Sequence, residues 1–215
     1  MLLELNHIMP VPLKERLSGR SSDIWNNTLR CEPGEYIKIK APSGTGKTTL
    51  VHILYKLRFD YEGDVLFDQQ NASSIKDDAL AAFRQNKISI IFQDLRLFPN
   101  LTARENIELK RILQTPFHQA EKIDEMAARL GVTHILDQQT GICSYGEQQR
   151  IAIIRALIHP FEWLIMDEPF SHLDIENTKK AAALINEECR KRNAGLMITD
   201  LDDDDHFNYT RQLTL

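Results

Sequence analysis

Short apolar runs punctuate this chain, and longer stretches with helical spacing separate them. "LLELN" at the start alternates as a half-buried strand does. The segment from Pro10 to Ser22 holds Pro, Gly and Ser and reads as loop. "YIKIK" (Tyr36–Lys40) predicts a strand, after which "GTGKTTLVHILYKLR" opens a helix. "DVLF" (Asp64–Phe67) predicts a short strand, and the β-branched "KISIIF" (Lys87–Phe92) predicts a buried parallel one. From about Thr102 to Leu130 the pattern is helical; "HQAEKIDEMAARLG" repeats apolar positions at helical spacing and stops at Gly131. "SYGEQQRIAIIRALIHP" predicts another helix, ended by Pro160, and "FEWLIM" (Phe161–Met166) a buried strand. "IENTKKAAALINEECRKR" is an amphipathic helix, and "GLMIT" (Gly195–Thr199) and "YTRQLTL" are the last strands.

Strands alternating with helices predict an α/β fold with a mostly parallel sheet covered on both faces. The run of helices between Phe92 and Pro160 breaks that alternation. It predicts a single domain whose core is residues 1–95 and 160–215, with a helical subdomain inserted over about 96–159.

Composition narrows the classes. The 215 residues suit one compact α/β domain. A net charge of −5 argues against a dedicated nucleic-acid binder. Cys31, Cys143 and Cys189 are widely spaced, which argues against a disulfide framework or a zinc site and fits a reducing compartment. No apolar run approaches the ~18 residues that span a bilayer. "MLLELNHIMP" carries an early Glu4 and no basic run, unlike a signal peptide. The expectation is a cytoplasmic protein; if it works at a membrane, a partner must hold it there.

"APSGTGKTT" (Ala41–Thr49) lies between the strand "YIKIK" and a helix, and fits G-x-x-x-x-G-K-[ST] with Ala41 at the first glycine. Gly44 and Gly46 let the backbone of Ser43, Gly44, Thr45 and Gly46 curl so that N–H groups point inward, and with the helix N-terminus they hold an anion. Lys47 places an ammonium on the β- and γ-phosphates, Thr48 offers a hydroxyl to Mg²⁺, and Thr49 completes the binding stretch. "WLIMDEP" (Trp163–Pro169) is an apolar strand that delivers Asp167 and Glu168 at its carboxyl end, where ligands of parallel sheets sit. Asp167 suits the Mg²⁺ shell; Glu168 suits orienting and deprotonating a water.

"CSYGEQQRIAIIRAL" (Cys143–Leu157) resembles the signature motif L-S-G-G-Q-Q-Q-R of ATP-binding cassette (ABC) ATPases. Ser144, Gly146, Gln148, Gln149 and Arg150 match; Cys143, Tyr145 and Glu147 depart. Ser144 with Glu147 is also a capping box, so a helix begins there. "IIFQD" contributes Gln93, and "DEPFSHLD" contributes Ser171, Leu173 and Asp174. The resemblance covers essentially the whole chain. It implies a P-loop NTPase fold with a small N-terminal antiparallel β portion and the inserted helices carrying the signature. It implies ATP and Mg²⁺ as cofactors, with Thr48, Gln93 and Asp167 toward the metal and Glu168, Lys47 and Gln93 as the catalytic group. It also implies a second cassette, in a homodimer or heterodimer, whose Ser144 and Gly146 complete the nucleotide site, and a transmembrane permease-like subunit docking near Gln93. "FQDLRLFPNLTARENI" is similar to the subgroup of the cell-division ATPase FtsE, the lipoprotein-release ATPase LolD and the MacB-type exporters, which act mechanically on the membrane.

Three departures pull the other way. The family stacks an N-terminal aromatic on adenine, whereas "NHIMPVPLKERLSG" has none, leaving Met9, Pro10 or His7 for apolar contact, with Trp25 too far on. Tyr145 replaces a signature glycine, and its side chain either crowds the phosphate or points aside. The family's T-H-D becomes Thr199-Asp200, so a carboxylate stands where a phosphate-sensing histidine is expected; His206 lies six positions on. An unshielded Asp200 would repel a γ-phosphate, so it is expected to point away or to be held by a cation. Asp200, Asp202 and Asp204 alternate, but a calcium loop wants glycine sixth and glutamate twelfth, where Asp205 and Arg211 stand. Asp202 to Asp205 therefore read as a solvated acidic turn.

The sequence thus predicts an ATPase subunit of a membrane complex, with a low-turnover regulatory cassette as the second reading. A soluble DNA- or ribosome-acting relative is disfavoured, because the chain lacks a coiled-coil insert or a second cassette. Loss of a base stack costs roughly 1–3 kcal/mol, so ATP and GTP are expected to bind with comparable affinity. Competition binding checks this, and a strong preference for ATP sinks it.

Overall fold

The apolar runs become strands of two sheets in a computed structural model that describes residues 1–17, 19–113, 115–201 and 204–215. In chain order these are β1 (Leu3–Pro10), α1 (Lys14–Leu17), β2 (Thr28–Cys31), β3 (Tyr36–Lys40), α2 (Lys47–Leu54), β4 (Tyr61–Phe67), β5 (Gln70–Asn71), α3 (Asp77–Asn86) and β6 (Ile88–Ile91). Then follow α4 (Ala103–Ile112), α5 (Glu121–Arg129), α6 (Tyr145–Leu157), β7 (Trp163–Asp167), α7 (Ile175–Arg192), β8 (Gly195–Asp200) and β9 (Arg211–Thr214).

The larger sheet runs β6-β7-β8-β3-β9 with every neighbouring pair parallel. The smaller one, β2-β1-β4-β5, is antiparallel and N-terminal, as the α/β P-loop expectation requires. Side chains of a strand alternate between faces, so one apolar run serves two cores. Trp163, Ile165 and Met197 join α2 and the antiparallel sheet on one side. Leu164, Met166, Leu196 and Ile198 join α5, α6 and α7 on the other. The three helices α4, α5 and α6 lie between β6 and β7, which are adjacent in the sheet. Thr102 and Ser144 each close a capping box at the start of α4 and α6.

The loop expected from Pro10 to Ser22 is corrected in part. Pro10 ends β1, a 3-10 turn covers Val11–Leu13, and α1 follows. Pro12 sits in the first turn, where its missing N–H costs nothing. β2 and α3 have no counterpart in the sequence reading: "TLRC" is only four residues, and α3 buries no residue fully, so its apolar periodicity is weak.

One charged group sits inside the second core. Glu188 of α7 is fully buried and is surrounded by Arg192 at 2.5 Å, His118 at 3.3 Å, Lys191 at 3.4 Å and Lys122 at 3.6 Å. Arg192 itself lies 4.7 Å from the ring centres of both Phe117 and Phe161. Burial alone would raise the Glu188 carboxyl, but hydrogen bonds from His118 and Arg192 and the surrounding positive charge hold it below the usual range. A depressed carboxyl contributes stability that is fully present above its unfolded pKa, about 4.3, and is lost as pH falls through the lower folded value. Glu188→Ala is therefore expected to cost about 3–5 kcal/mol, because it strands a buried guanidinium. Denaturant titration at neutral pH checks this, and the variant should lose less stability than wild type on acidification below about pH 4.3.

Candidate functional site

β3 ends at Lys40, residues 41–46 curl over the carboxyl edge of the sheet, and α2 begins at Lys47. The curl needs two left-handed residues, and Gly44 (φ +79°) and Gly46 (φ +103°) supply them. A Cβ at Gly46 would lie 3.0 Å from the Trp25 ring. The Trp25 indole N–H in turn donates to the Thr45 carbonyl at 3.0 Å, bracing the loop from beneath. Ala41 does not adopt a positive φ, so alanine fits the first position of the motif without strain.

Two strand ends bring carboxylates to this loop. The Asp167 carboxylate, at the end of β7, accepts from the Thr48 hydroxyl at 2.8 Å and from the Thr199 hydroxyl at 2.6 Å. The next residue, Glu168, is held in the left-handed region at φ +48°, its N–H donating to the Thr199 carbonyl at 3.0 Å. For a side chain with a Cβ this conformation costs about 1–2 kcal/mol. It turns the carboxylate toward Lys47, whose ammonium lies 3.2 Å away and also donates to the Ala41 carbonyl at 2.8 Å. The Gln93 amide donates to the other Glu168 oxygen at 3.1 Å.

Together Ser43, Gly44, Lys47, Thr48, Thr49, Gln93 and Glu168 line a cavity of about 250 Å³. Leu13 and Arg16, both from the segment read as loop, line it as well. Met9, a candidate for apolar contact with the base, lines a separate, larger cavity instead. No cluster of three or more His, Cys, Asp or Glu that could hold a metal occurs among the described residues. Mg²⁺ does not require one. It keeps several waters, takes phosphate oxygens and is held by as few as one or two carboxylates. The Thr48 hydroxyl, the Asp167 carboxylate and the Gln93 amide fit that requirement.

Ser144, Gly146 and Asp174 are not brought to this cavity within the same chain. Ser144 caps α6. Asp174 caps α7, accepting from the Asn177 N–H at 2.8 Å. Tyr145 reaches across from α6: its hydroxyl donates to the Gln93 carbonyl at 3.0 Å, and its ring packs edge-on against His172 at 4.2 Å. The signature helix is thereby tied to the Gln93 loop by a side chain rather than left open at a glycine.

Asp200 ends β8 next to a buried cation. Lys38, 1% exposed in the middle of β3, places its ammonium 3.7 Å from Asp200 and hydrogen-bonds to Asp204. The Tyr209 hydroxyl also donates to Asp204, at 2.6 Å. Burial would raise the Asp204 carboxyl, but the bonds from Lys38, Tyr209 and the His206 N–H lower it. The solvated turn expected over Asp202 to Asp205 is thus corrected at Asp204, whose charge neutralises a lysine inside the fold; Asp205 is exposed, and Asp202 and Asp203 lie outside the described residues. Lys38 had a signal in the sequence, as a lysine at an inward position of an apolar strand. Arg16 had none.

The family model described as "ABC transporter" matches residues 24–171. The "ABC transporter ATP-binding protein YxdL" of Bacillus subtilis is 39% identical over 83% of this chain and 69% of its own length. The "Lipoprotein-releasing system ATP-binding protein LolD" of Geobacter metallireducens is 35% identical over 79% of this chain and 76% of its own. Among solved structures, the dimeric bacterial ABC transporter cassette MJ0796 superposes with a TM-score of 0.79 at 27% identity, covering 93% of this chain and 88% of that one. A dimeric post-hydrolysis state of the same cassette, bound to ADP and Pi, superposes at 0.78.

Proposed function

This chain belongs to the ABC transporter family, and from that premise we propose that it is the ATP-hydrolysing subunit of a membrane-associated transporter or mechanotransmission complex. The observation that carries the proposal is the chain of contacts Lys47–Glu168–Gln93 beside the pair Thr48–Asp167. It gathers a phosphate cation, a water-directing carboxylate and a metal-side carboxylate at one mouth. Residues Ser43 to Thr49 hold the triphosphate by backbone N–H groups, the helix dipole and the Lys47 ammonium. Mg²⁺, when bound, neutralises phosphate charge beside Thr48, Asp167 and Gln93. With the phosphate taking over Lys47, Glu168 is released to hold a water in line and accept its proton, while Gln93 keeps that carboxylate oriented. Catalysis on this account is positioning and charge stabilisation.

Ser144, Gly146 and Asp174 act on the site of a second cassette. The dimeric MJ0796 neighbour supports that arrangement. Residues 96–159 then move as the helical subdomain against the core, and the Tyr145–Gln93 bond couples that motion to the nucleotide. The transmembrane subunit docks one residue from Gln93, in a groove of about 190 Å³ between Tyr55, Phe92, Arg96, Phe98, Lys110 and Arg155. Burial and the nearby charges of Arg155 and Arg84 lower Lys110 to about 8, and burial lowers Arg155 to about 10. An acidic segment of the partner relieves that crowding. No helix among the described residues is long and apolar enough to cross a membrane; on this proposal the partner supplies the attachment.

A second reading, a regulatory cassette with little hydrolysis, is favoured by the Lys38–Asp200 contact at the expected histidine position and by the Tyr145 tether. Turnover separates the two. Glu168→Gln is expected to lower kcat at least about a hundredfold while leaving ATP binding intact. Absence of Glu168-dependent hydrolysis, alone and with the partner, overturns the enzyme reading. Asp200→His is expected to raise kcat, since it restores the histidine that the resemblance expects at this position while Asp204 still neutralises Lys38. An unchanged or lower kcat in steady-state ATPase assays counts against that role for Asp200.

A further inference from the structure

Arg16 rests on the phosphate loop. Its Nη2 would stand 2.3 Å from a Cβ added at Gly44, so the guanidinium lies directly against the backbone of the loop. It lines the same cavity as Lys47, Thr48 and Glu168. The residue is exposed, and among the described residues no carboxylate lies within ion-pair distance of it. Lys47 has Glu168 at 3.2 Å. Arg16 is therefore the cation of this cavity whose charge is not offset among the described residues. Gly44 lies within the stretch whose N–H groups face the anion, so a cation seated on it is at the phosphate end of the cavity.

We infer that Arg16 is a second phosphate-binding cation, which grips polyphosphate oxygens together with Lys47 and makes affinity depend on the phosphates more than on the base. The inference rests on the nucleotide-binding reading above. A guanidinium suits the task because its planar fork donates two parallel hydrogen bonds to a phosphate, whereas an ammonium acts as a point charge. Gly44, at φ +79°, leaves room for this approach, since a Cβ there would displace the guanidinium. No aromatic ring lines the cavity, and Leu13 is its one large apolar side chain. Binding energy that a base stack would otherwise contribute is replaced by charge-assisted hydrogen bonds at the other end of the nucleotide.

The test measures displacement of a fluorescent nucleotide by Mg-ATP, Mg-GTP and base-free Mg-tripolyphosphate, using wild type, Arg16→Ala, Arg16→Lys and Lys47→Ala. Arg16→Ala is expected to weaken all three competitors by a similar factor, roughly ten- to a hundredfold, with an unchanged Tm. Arg16→Lys should restore part of the loss, and the salt dependence of binding should flatten in the alanine variant. Weakening of ATP and GTP with tripolyphosphate unchanged makes Arg16 a base contact and overturns the inference. So does equal affinity of Arg16→Ala and wild type, or failure of tripolyphosphate to displace nucleotide from wild type. Lys47→Ala separates the two levels. If it abolishes binding while Arg16→Ala does not weaken it, the nucleotide site stands and only the role of Arg16 falls. If wild type binds no nucleotide, both fall.

Discussion

The nucleotide end of this molecule depends on one buried carboxylate. Asp167 is 1% exposed, and its two oxygens are each taken by a threonine hydroxyl, Thr48 from α2 and Thr199 from β8. Those bonds join the phosphate-loop helix, β7 and β8 at a single point. A buried charge without partners is costly. These contacts therefore do more than position a side chain: they let a carboxylate exist at the sheet edge before a cation arrives. The strained turn at Glu168 follows from the same anchor, since the residue after a tethered strand end must turn sharply to reach Lys47 and Gln93.

A second buried charge shapes the opposite face of the same edge. Lys38 occupies an inward position of β3, the strand that leads into the phosphate loop, and it needs a counter-charge there. Asp204 supplies most of it and Asp200 part. The aspartate-rich stretch after β8 is thus partly internal wiring of the fold. It links the residue at the expected histidine position, through Lys38, to the strand that leads into the loop.

Around the cavity the chain places its cations and carboxylates unevenly. Lys47 and Glu168 neutralise each other, Arg16 over the loop has no carboxylate partner among the described residues, and the groove beyond Phe92 brings Arg96, Lys110 and Arg155 together. Arg96 in that groove has a counter-charge in Asp94 at 3.3 Å. Tyr145, bonded to Gln93 and packed on His172, joins the start of α6 to the segment that follows β6.

Much of this was legible without coordinates. The strand–loop–helix around "APSGTGKTT", the strand end at "WLIMDE" and the capping box at Ser144 are local patterns, because φ preferences, apolar periodicity and side-chain-to-backbone bonds act over a few residues. They determined the α/β class, the position of the phosphate loop and the family. What the chain could not announce is which distant side chains meet. That Arg16, nearly thirty positions upstream, lies on Gly44, that Tyr145 bonds to Gln93, and that Asp204 neutralises Lys38 are contacts made only when strands from different parts of the chain pair and twist together. Local patterns located the candidate site. Tertiary packing decided how its charges are balanced, because a Coulomb interaction depends on distance in space and on burial, neither of which a linear sequence records.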